Sequence, residues 1–225
     1  MAATRSALVF DVNETLLDLR ALDAPFERVF GDAGVRREWF QQLLQSALVS
    51  TITGPYVDFG AIGRAALEMV ASRRDRRISE EDTTSILGSI RRLPPHPEVR
   101  EALRRLRAAG HRLATLTNST EVVARAQLEH AGLAHLFERI FSSDSVKHLK
   151  PAAEPYRMAA RELGVGTGDM WLVAAHAWDV AGAARAGCMT AFVARSGMVP
   201  DPLAPPPDIR GKDLDEIADR LLDRA

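Results

Sequence analysis

The chain has one cysteine, Cys188, so no second thiol is present to close an intrachain disulfide; a disulfide-stapled scaffold is excluded and a reducing compartment is expected. An excess of one charge is also missing. The 29 Lys and Arg residues stand against 30 Asp and Glu, a formal net charge of −1, which provides no basic field and argues against nucleic acid as a partner. No apolar run approaches the ~18 residues of a membrane span. Met1-Ala2-Ala3-Thr4-Arg5-Ser6 leads into a short apolar run, Ala7 to Phe10, well below the roughly 7–15 apolar residues of a signal peptide. These absences predict a cytoplasmic protein with no membrane and no nucleic-acid partner. What remains is an ordinary globular composition, 46% hydrophobic and 26% charged over 225 residues. At about 150 residues per domain, that length suits one large domain or a core with a sizeable insertion.

Ala7-Leu8-Val9-Phe10 is a short, continuous apolar run ending at Asp11, the pattern of a strand buried on both faces of a parallel sheet. Similar runs recur at Leu113–Thr117, Arg139–Ser142, Met170–Ala174 and Thr190–Val193. Helical patterns separate them: Val99, Leu103 and Leu106 share a face before Gly110, a helix starting at Ser119-Thr120-Glu121 stops at Gly132, and Pro155–Leu163 stops at Gly164. Strand–helix alternation over 96–195 predicts βαβ units and an α/β fold with a central parallel sheet. Residues 18–95 break this rhythm with helical stretches near 23–30, 35–52, 58–74 and 80–92, and Pro94-Pro95-His96-Pro97 forms a stiff return. The expected organisation is a core of 1–17 and 96–225 with an all-helical cap of 18–95 over the ligand edge of the sheet. The prolines between Pro200 and Pro207 read as a surface loop, and Leu214, Ile217, Leu221 and Leu222 as an amphipathic closing helix.

Polar residues fall at the C-terminal ends of these strands: Asp11 with Thr15, Thr117-Asn118, Lys150, and Asp179 with His176. Parallel strands deliver those ends to one edge, so the groups are expected to converge. Lys150 is the natural partner of Asp11, because a nearby cation keeps a carboxylate ionised and nucleophilic. Thr15, Thr117 and Asn118 supply donors for an anionic substrate group.

Phe10-Asp11-Val12-Asn13-Glu14-Thr15 resembles the first motif of the haloacid dehalogenase superfamily, a strand ending in D-x-x-x-T. Leu116-Thr117-Asn118 is similar to its second motif, Lys150-Pro151 to its third, and Ala175-His176-Ala177-Trp178-Asp179 to its fourth. The ordered set covers nearly the whole chain and implies a Rossmann-like core with a helical cap inserted between the first two motifs. Phosphatases of the superfamily carry a general-acid Asp two residues after the nucleophile; this chain has Asn13, which cannot transfer a proton in that way. Ala174, Ala175 and His176 before the lone Asp179 also make a poor site for Mg²⁺, which prefers oxygen ligands. The resemblance is therefore to the (S)-2-haloacid dehalogenase branch, which works without a metal or other cofactor. It implies that Asp11 displaces halide from a short 2-haloalkanoic acid to form an ester, that Lys150 holds Asp11 ionised, and that Asp179 positions or deprotonates the hydrolytic water.

The pocket departs from that branch. A cap arginine that helps bind halide is replaced by Phe40 after Trp39; Ala174 and His176 stand where Ser and Asn are usual; Asn13 and Glu14 replace an aromatic residue and Gly. His176 is a candidate halide donor or near-neutral base, against a backbone-bonded loop histidine. Trp39, Phe40 and Trp178 are candidate substrate contacts, against plain packing. Asp11 with Lys150 has the alternative of a structural ion pair, and Asp179 that of a helix N-cap. Glu14 reads as a backbone ligand or an exposed side chain, His111, His130, His135 and His148 read as surface residues, and Tyr156 has no evident role. Two other functions stay open: a phosphatase holding Mg²⁺ on Asp11, the Asn13 carbonyl and Asp179, and a weak homologue that binds a small anion or a partner. Dimerisation through the cap helices is implied by family analogy alone.

Overall fold

Five of the six strands lie where the apolar runs predict them, and all six pair in parallel in the order β3-β2-β1-β4-β5-β6. The computed structural model describes residues 6–224, so the expected core start at residue 1 and its end at 225 fall outside the described residues. Strand β1 (Ala7–Phe10) is central and wholly buried, flanked by β2 (Arg112–Thr117) and β4 (Met170–Ala174). β3 (Arg139–Ser142) and β5 (Met189–Val193) lie outside these, with β6 (Ile209–Gly211) at one edge. No apolar run announced β6. It is three residues long, with only Ile209 and Gly211 turned inward, too short for a period-2 pattern to show.

Alternation along the strands divides the core. Leu8, Phe10, Leu113, Val173 and Val193 face one apolar cluster, shared with α5 (Val99–Ala108) and α9 (Leu214–Leu222). Val9, Ala114, Leu116, Leu172 and Phe192 face the other, covered by α7 (Ala153–Leu163) and α8 (Ala177–Arg185). Full burial of each such Leu, Val or Phe stabilises by about 1.5–3 kcal/mol. His111, expected at the surface, is instead buried immediately before β2, where the chain enters the sheet.

Between β1 and α5 the regular elements are all helical, joined by turns and loops. The chain forms α1 (Asp23–Phe30), α2 (Val35–Thr53), α3 (Phe59–Arg73) and α4 (Glu80–Ser89), with 3-10 turns at Leu19–Leu22 and Ile90–Arg92. Gly31, at φ +72°, ends α1; the Asp58 carboxylate caps α3 by accepting from the Gly60 and Ala61 amides at 3.0 Å. The apolar faces of these helices, including Phe26, Trp39 and Leu67, extend the first core cluster. The predicted proline return pairs with the outgoing segment: Asp18 N–H donates to the Pro94 carbonyl at 2.8 Å and His96 N–H to the Leu16 carbonyl at 3.0 Å. Among the described residues, no helix is long and apolar enough to cross a membrane.

Candidate active site

Asp11 follows the last residue of β1, and its amide continues the sheet by donating to the Val173 carbonyl at 3.0 Å. Lys150, in the loop before α7, reaches across with its ammonium 3.0 Å from Asp11 Oδ1 and 2.6 Å from Asp179 Oδ2, and also donates to the Leu116 carbonyl at 2.8 Å. All three side chains are buried, Lys150 completely. Burial by itself raises a carboxyl pKa; at Asp11 the Lys150 charge, with His176 and Thr15, outweighs it and holds the group well below the usual carboxylate range. Asp179 moves the other way, because burial and the charge of Asp11 together exceed the effect of Lys150. Burial lowers the pKa of Lys150, but the two facing carboxylates raise it further and keep the ammonium charged.

Asp179 is the third residue of α8 and does not cap that helix; His176 occupies the cap position. The Asp179 carboxylate accepts from Lys150 and, on Oδ1, from the Tyr156 hydroxyl at 2.6 Å. Tyr156, to which the sequence assigned no role, is thus an orienting group; on an apolar helix face its hydroxyl left no signal in the sequence pattern. Gly182 has a similar hidden role. A Cβ there would lie 2.5 Å from Pro151 Cβ and 2.8 Å from the Tyr156 hydroxyl, so its missing side chain lets α8 approach the Lys150 loop.

Each of the three expected donors also has a partner within the protein. The Thr15 hydroxyl donates to Asp11 Oδ2 at 2.7 Å and accepts from the Ala175 amide at 3.0 Å, so it orients the carboxylate. Asn118 braces the lysine loop: its oxygen accepts from the Lys150 amide and the Ser143 hydroxyl, both at 2.8 Å, and its amide donates to the Lys150 carbonyl at 3.2 Å. Thr117 Oγ1 accepts from the Ser119 amide at 3.2 Å. Asn13 accepts from Gln127 at 2.9 Å. Thr15 and Asn118 serve neighbouring buried groups that need partners, and Asn13, Thr117 and Asn118 also line the space beside Asp11.

His176 stands beside Asp11, with Nδ1 3.6 Å from Oδ2 and Nε2 3.2 Å from a Glu14 carboxylate oxygen. Burial lowers the imidazolium pKa, but the facing Asp11 and Glu14 carboxylates outweigh it and raise it to about 9. Phe40 and Trp178 flank this ring at centroid distances of 5.8 and 5.4 Å. With Asp11, Asn118 and Lys150 these residues line a recess of ≈ 10 Å³, about the space of one water. Trp39 lies away from it: the indole N–H donates to the Gly63 carbonyl at 2.9 Å and the ring packs on Phe26, an ordinary core role inside the cap. It also lines a larger cavity of ≈ 670 Å³ between cap and core, which shares Asn13, Phe40 and Phe59 with the recess.

Mg²⁺ held by Asp11, the Asn13 carbonyl and Asp179 does not fit these donors. The Lys150 ammonium already bridges the two carboxylates, and His176 faces the remaining Asp11 oxygen. A divalent ion would have to displace one cation and approach the other. Among the described residues no cluster of three or more His, Cys, Asp or Glu side chains is arranged to hold a metal.

Comparison with known proteins gives a consistent family. The chain is 28% identical over 218 residues to the (S)-2-haloacid dehalogenase H-109 of Pseudomonas putida, covering 96% of this chain and 97% of that protein. It is 29% identical to the haloacetate dehalogenase H-2 of Moraxella sp. (strain B), with 94% and 95% coverage. The solved L-2-haloacid dehalogenase of Xanthobacter autotrophicus, with chloropropionic acid covalently bound, superposes with a TM-score of 0.92 at 25% identity, covering 98% of this chain and 99% of that one. Residues 6–187 match the model of the haloacid dehalogenase-like hydrolases, and with its parallel sheet, helical cap and strand-end carboxylate the chain belongs to that family of hydrolases.

Proposed function

We propose that the protein hydrolyses the carbon–halogen bond of a 2-haloalkanoic acid through an ester on Asp11. The observation that carries this reading is the Asp11 carboxylate held ionised by a fully buried Lys150 at 3.0 Å, at the edge of a recess roofed by cap residues. An Asp11 oxygen attacks C2, the new C–O bond forms as the carbon–halogen bond breaks, and halide leaves with the bonding pair. Water then attacks the ester carbonyl and gives one proton to Asp179; on collapse its second proton passes to the departing alkoxide, which leaves as the 2-hydroxy acid and restores the Asp11 carboxylate, and Asp179 releases its proton to solvent. The raised pKa of Asp179 suits it to accept that proton. His176, Trp178 and Phe40 form the wall beside the reacting carbon, and the alkyl substituent faces the larger cavity.

The test is halide release from fluoroacetate, chloroacetate and both enantiomers of 2-chloropropionate with EDTA present. Release that vanishes in Asp11→Asn supports the reading; undiminished release in that variant, or none from any member with the native chain, overturns it. The reading extends to a homodimer joined through the cap, where Val49 and Ile52 of α2 and Met69 of α3 are exposed apolar side chains, and light scattering checks the mass. The single, buried Cys188 suits a cytoplasmic setting.

A further inference from the structure

Glu14 follows the nucleophile by three residues and stands at φ +61°, a left-handed conformation that a residue with a side chain rarely adopts. Its carboxylate is the middle of a chain of charges. One oxygen lies 3.2 Å from His176 Nε2, and the other lies 3.7 Å from a guanidinium nitrogen of Arg36, a buried side chain on α2. Arg36 in turn donates to Asp23 at the start of α1 at 2.5 Å. Arg36 is one helical turn before Phe40, so the buried cation of this cap helix addresses the Glu14 carboxylate, while Phe40 packs on the His176 ring.

The two faces of the imidazole set its charge state geometrically. Nε2 faces one carboxylate and Nδ1 faces another, Asp11 Oδ2 at 3.6 Å. A neutral ring would aim a bare lone pair at one of these anions; a ring with both N–H bonds aims a donor at each. Nδ1 is buried, has no hydrogen-bond partner, and lies beyond bonding distance of Asp11. Trp178 Nε1, on the stacked neighbouring ring, is likewise buried and unpartnered. Two unused N–H donors therefore belong to rings lining the recess that also contains Asp11.

Resting on the dehalogenase reading, we propose that His176 remains an imidazolium and that its Nδ1–H, with the Trp178 N–H, receives an anionic group of the substrate, with Glu14 and Arg36 as positioning residues that keep the ring charged. The charged groups around the ring are Asp11 and Glu14 from the β1 loop, Arg36 from α2, Lys150 from the loop before α7 and Asp179 from α8. The anion is either the substrate carboxylate or the departing halide; both need the same cationic donor, and their inhibition patterns separate them.

Two measurements test this. Proton NMR of the His176 ring in the native chain reads its charge with no turnover; a midpoint above pH 8, lowered by at least one unit in Glu14→Gln, is expected, and a native midpoint below pH 7 overturns the proposal. Steady-state kinetics then follow KM and inhibition by propionate and bromide, the carboxylate and halide probes. In His176→Asn, KM rises at least tenfold while kcat changes less, and inhibition by one of the two probes weakens in parallel. In Glu14→Gln the pH at which KM climbs moves down with the NMR midpoint. KM and both inhibition constants unchanged within twofold in His176→Asn would overturn the proposal. Absence of turnover with every haloacid defeats the dehalogenase reading alone, since ring titration and propionate binding remain measurable without it.

Discussion

Lys150 is fully buried between two buried carboxylates, which makes Lys150→Met a sharp test of the site's electrostatics. Methionine nearly preserves length and volume, so packing changes little and the charge is what is lost. Removing one partner from a buried ion pair costs about 3–5 kcal/mol. The protein can limit that loss by binding a proton. For an ordinary carboxyl titrating near pH 4, protonation at pH 7 costs about 4 kcal/mol, and this falls by about 1.4 kcal/mol for each pH unit removed. In the native chain Asp11 has a lowered pKa, so its stabilising contribution is present above the ordinary carboxyl pKa and disappears only in strong acid. In the variant the cation is gone, burial raises the pKa of the carboxylate pair so that one proton bound there takes the place of the lost charge, and stability is lost as pH rises. The stability gap between native and variant is therefore expected to be about 4 kcal/mol at pH 7 and to shrink to about 1.5 kcal/mol at pH 5. Urea unfolding followed by circular dichroism at pH 5, 6, 7 and 8 measures it. A gap below about 1 kcal/mol at pH 7, or one that does not grow with pH, would refute the claim that the Lys150 charge sustains the buried carboxylate pair.

Tyr156→Phe deletes the hydroxyl that donates to Asp179 Oδ1 at 2.6 Å. It is expected to cost about 1.5–3 kcal/mol and to slow ester hydrolysis more than ester formation, so intact-protein mass spectrometry during turnover should show accumulated substrate adduct; no adduct above the native level would remove Tyr156 from the hydrolytic step. Gly182→Ala would ordinarily favour a helix by about 1 kcal/mol. Here the new methyl group meets Pro151 and Tyr156 at 2.5–2.8 Å, so the variant should lose about 1–3 kcal/mol and much of its activity as α8 shifts from the lysine loop. A melting temperature equal to or above that of the native chain would contradict that close approach.

Much of this architecture is legible in the sequence because parallel strands buried on both faces leave continuous apolar runs. β1 and β4 are wholly buried and are marked by Ala7–Phe10 and Met170–Ala174. The convergence of Asp11, Lys150 and Asp179 follows from strand polarity, since every parallel strand ends at the same edge. Side-chain commitments are not legible in that way. Thr15 and Asn118 offer the same donors whether they face a ligand or the chain; folding alone decides that one bonds to Ala175 and the other to Ser143. Glu14 was equally opaque, because its two partners, Arg36 and His176, are distant in sequence and on different elements.

The cap leaves and rejoins the core through two segments bonded side by side, Asp18 to Pro94 and Leu16 to His96, and Arg195 clamps this neck by donating to the Thr15 carbonyl at 2.8 Å and to Glu98 at 2.5 Å. A segment whose two ends meet is a cassette: it can be exchanged without rerouting the sheet that carries it. Asp11, Lys150, Tyr156 and Asp179 all belong to the frame, whereas Phe40, Phe59 and Arg36 belong to the cassette. The cassette thus supplies one wall of the space beside Asp11 and the frame the other, so changes in the cassette can reshape that space while Asp11 and Lys150 stay assembled.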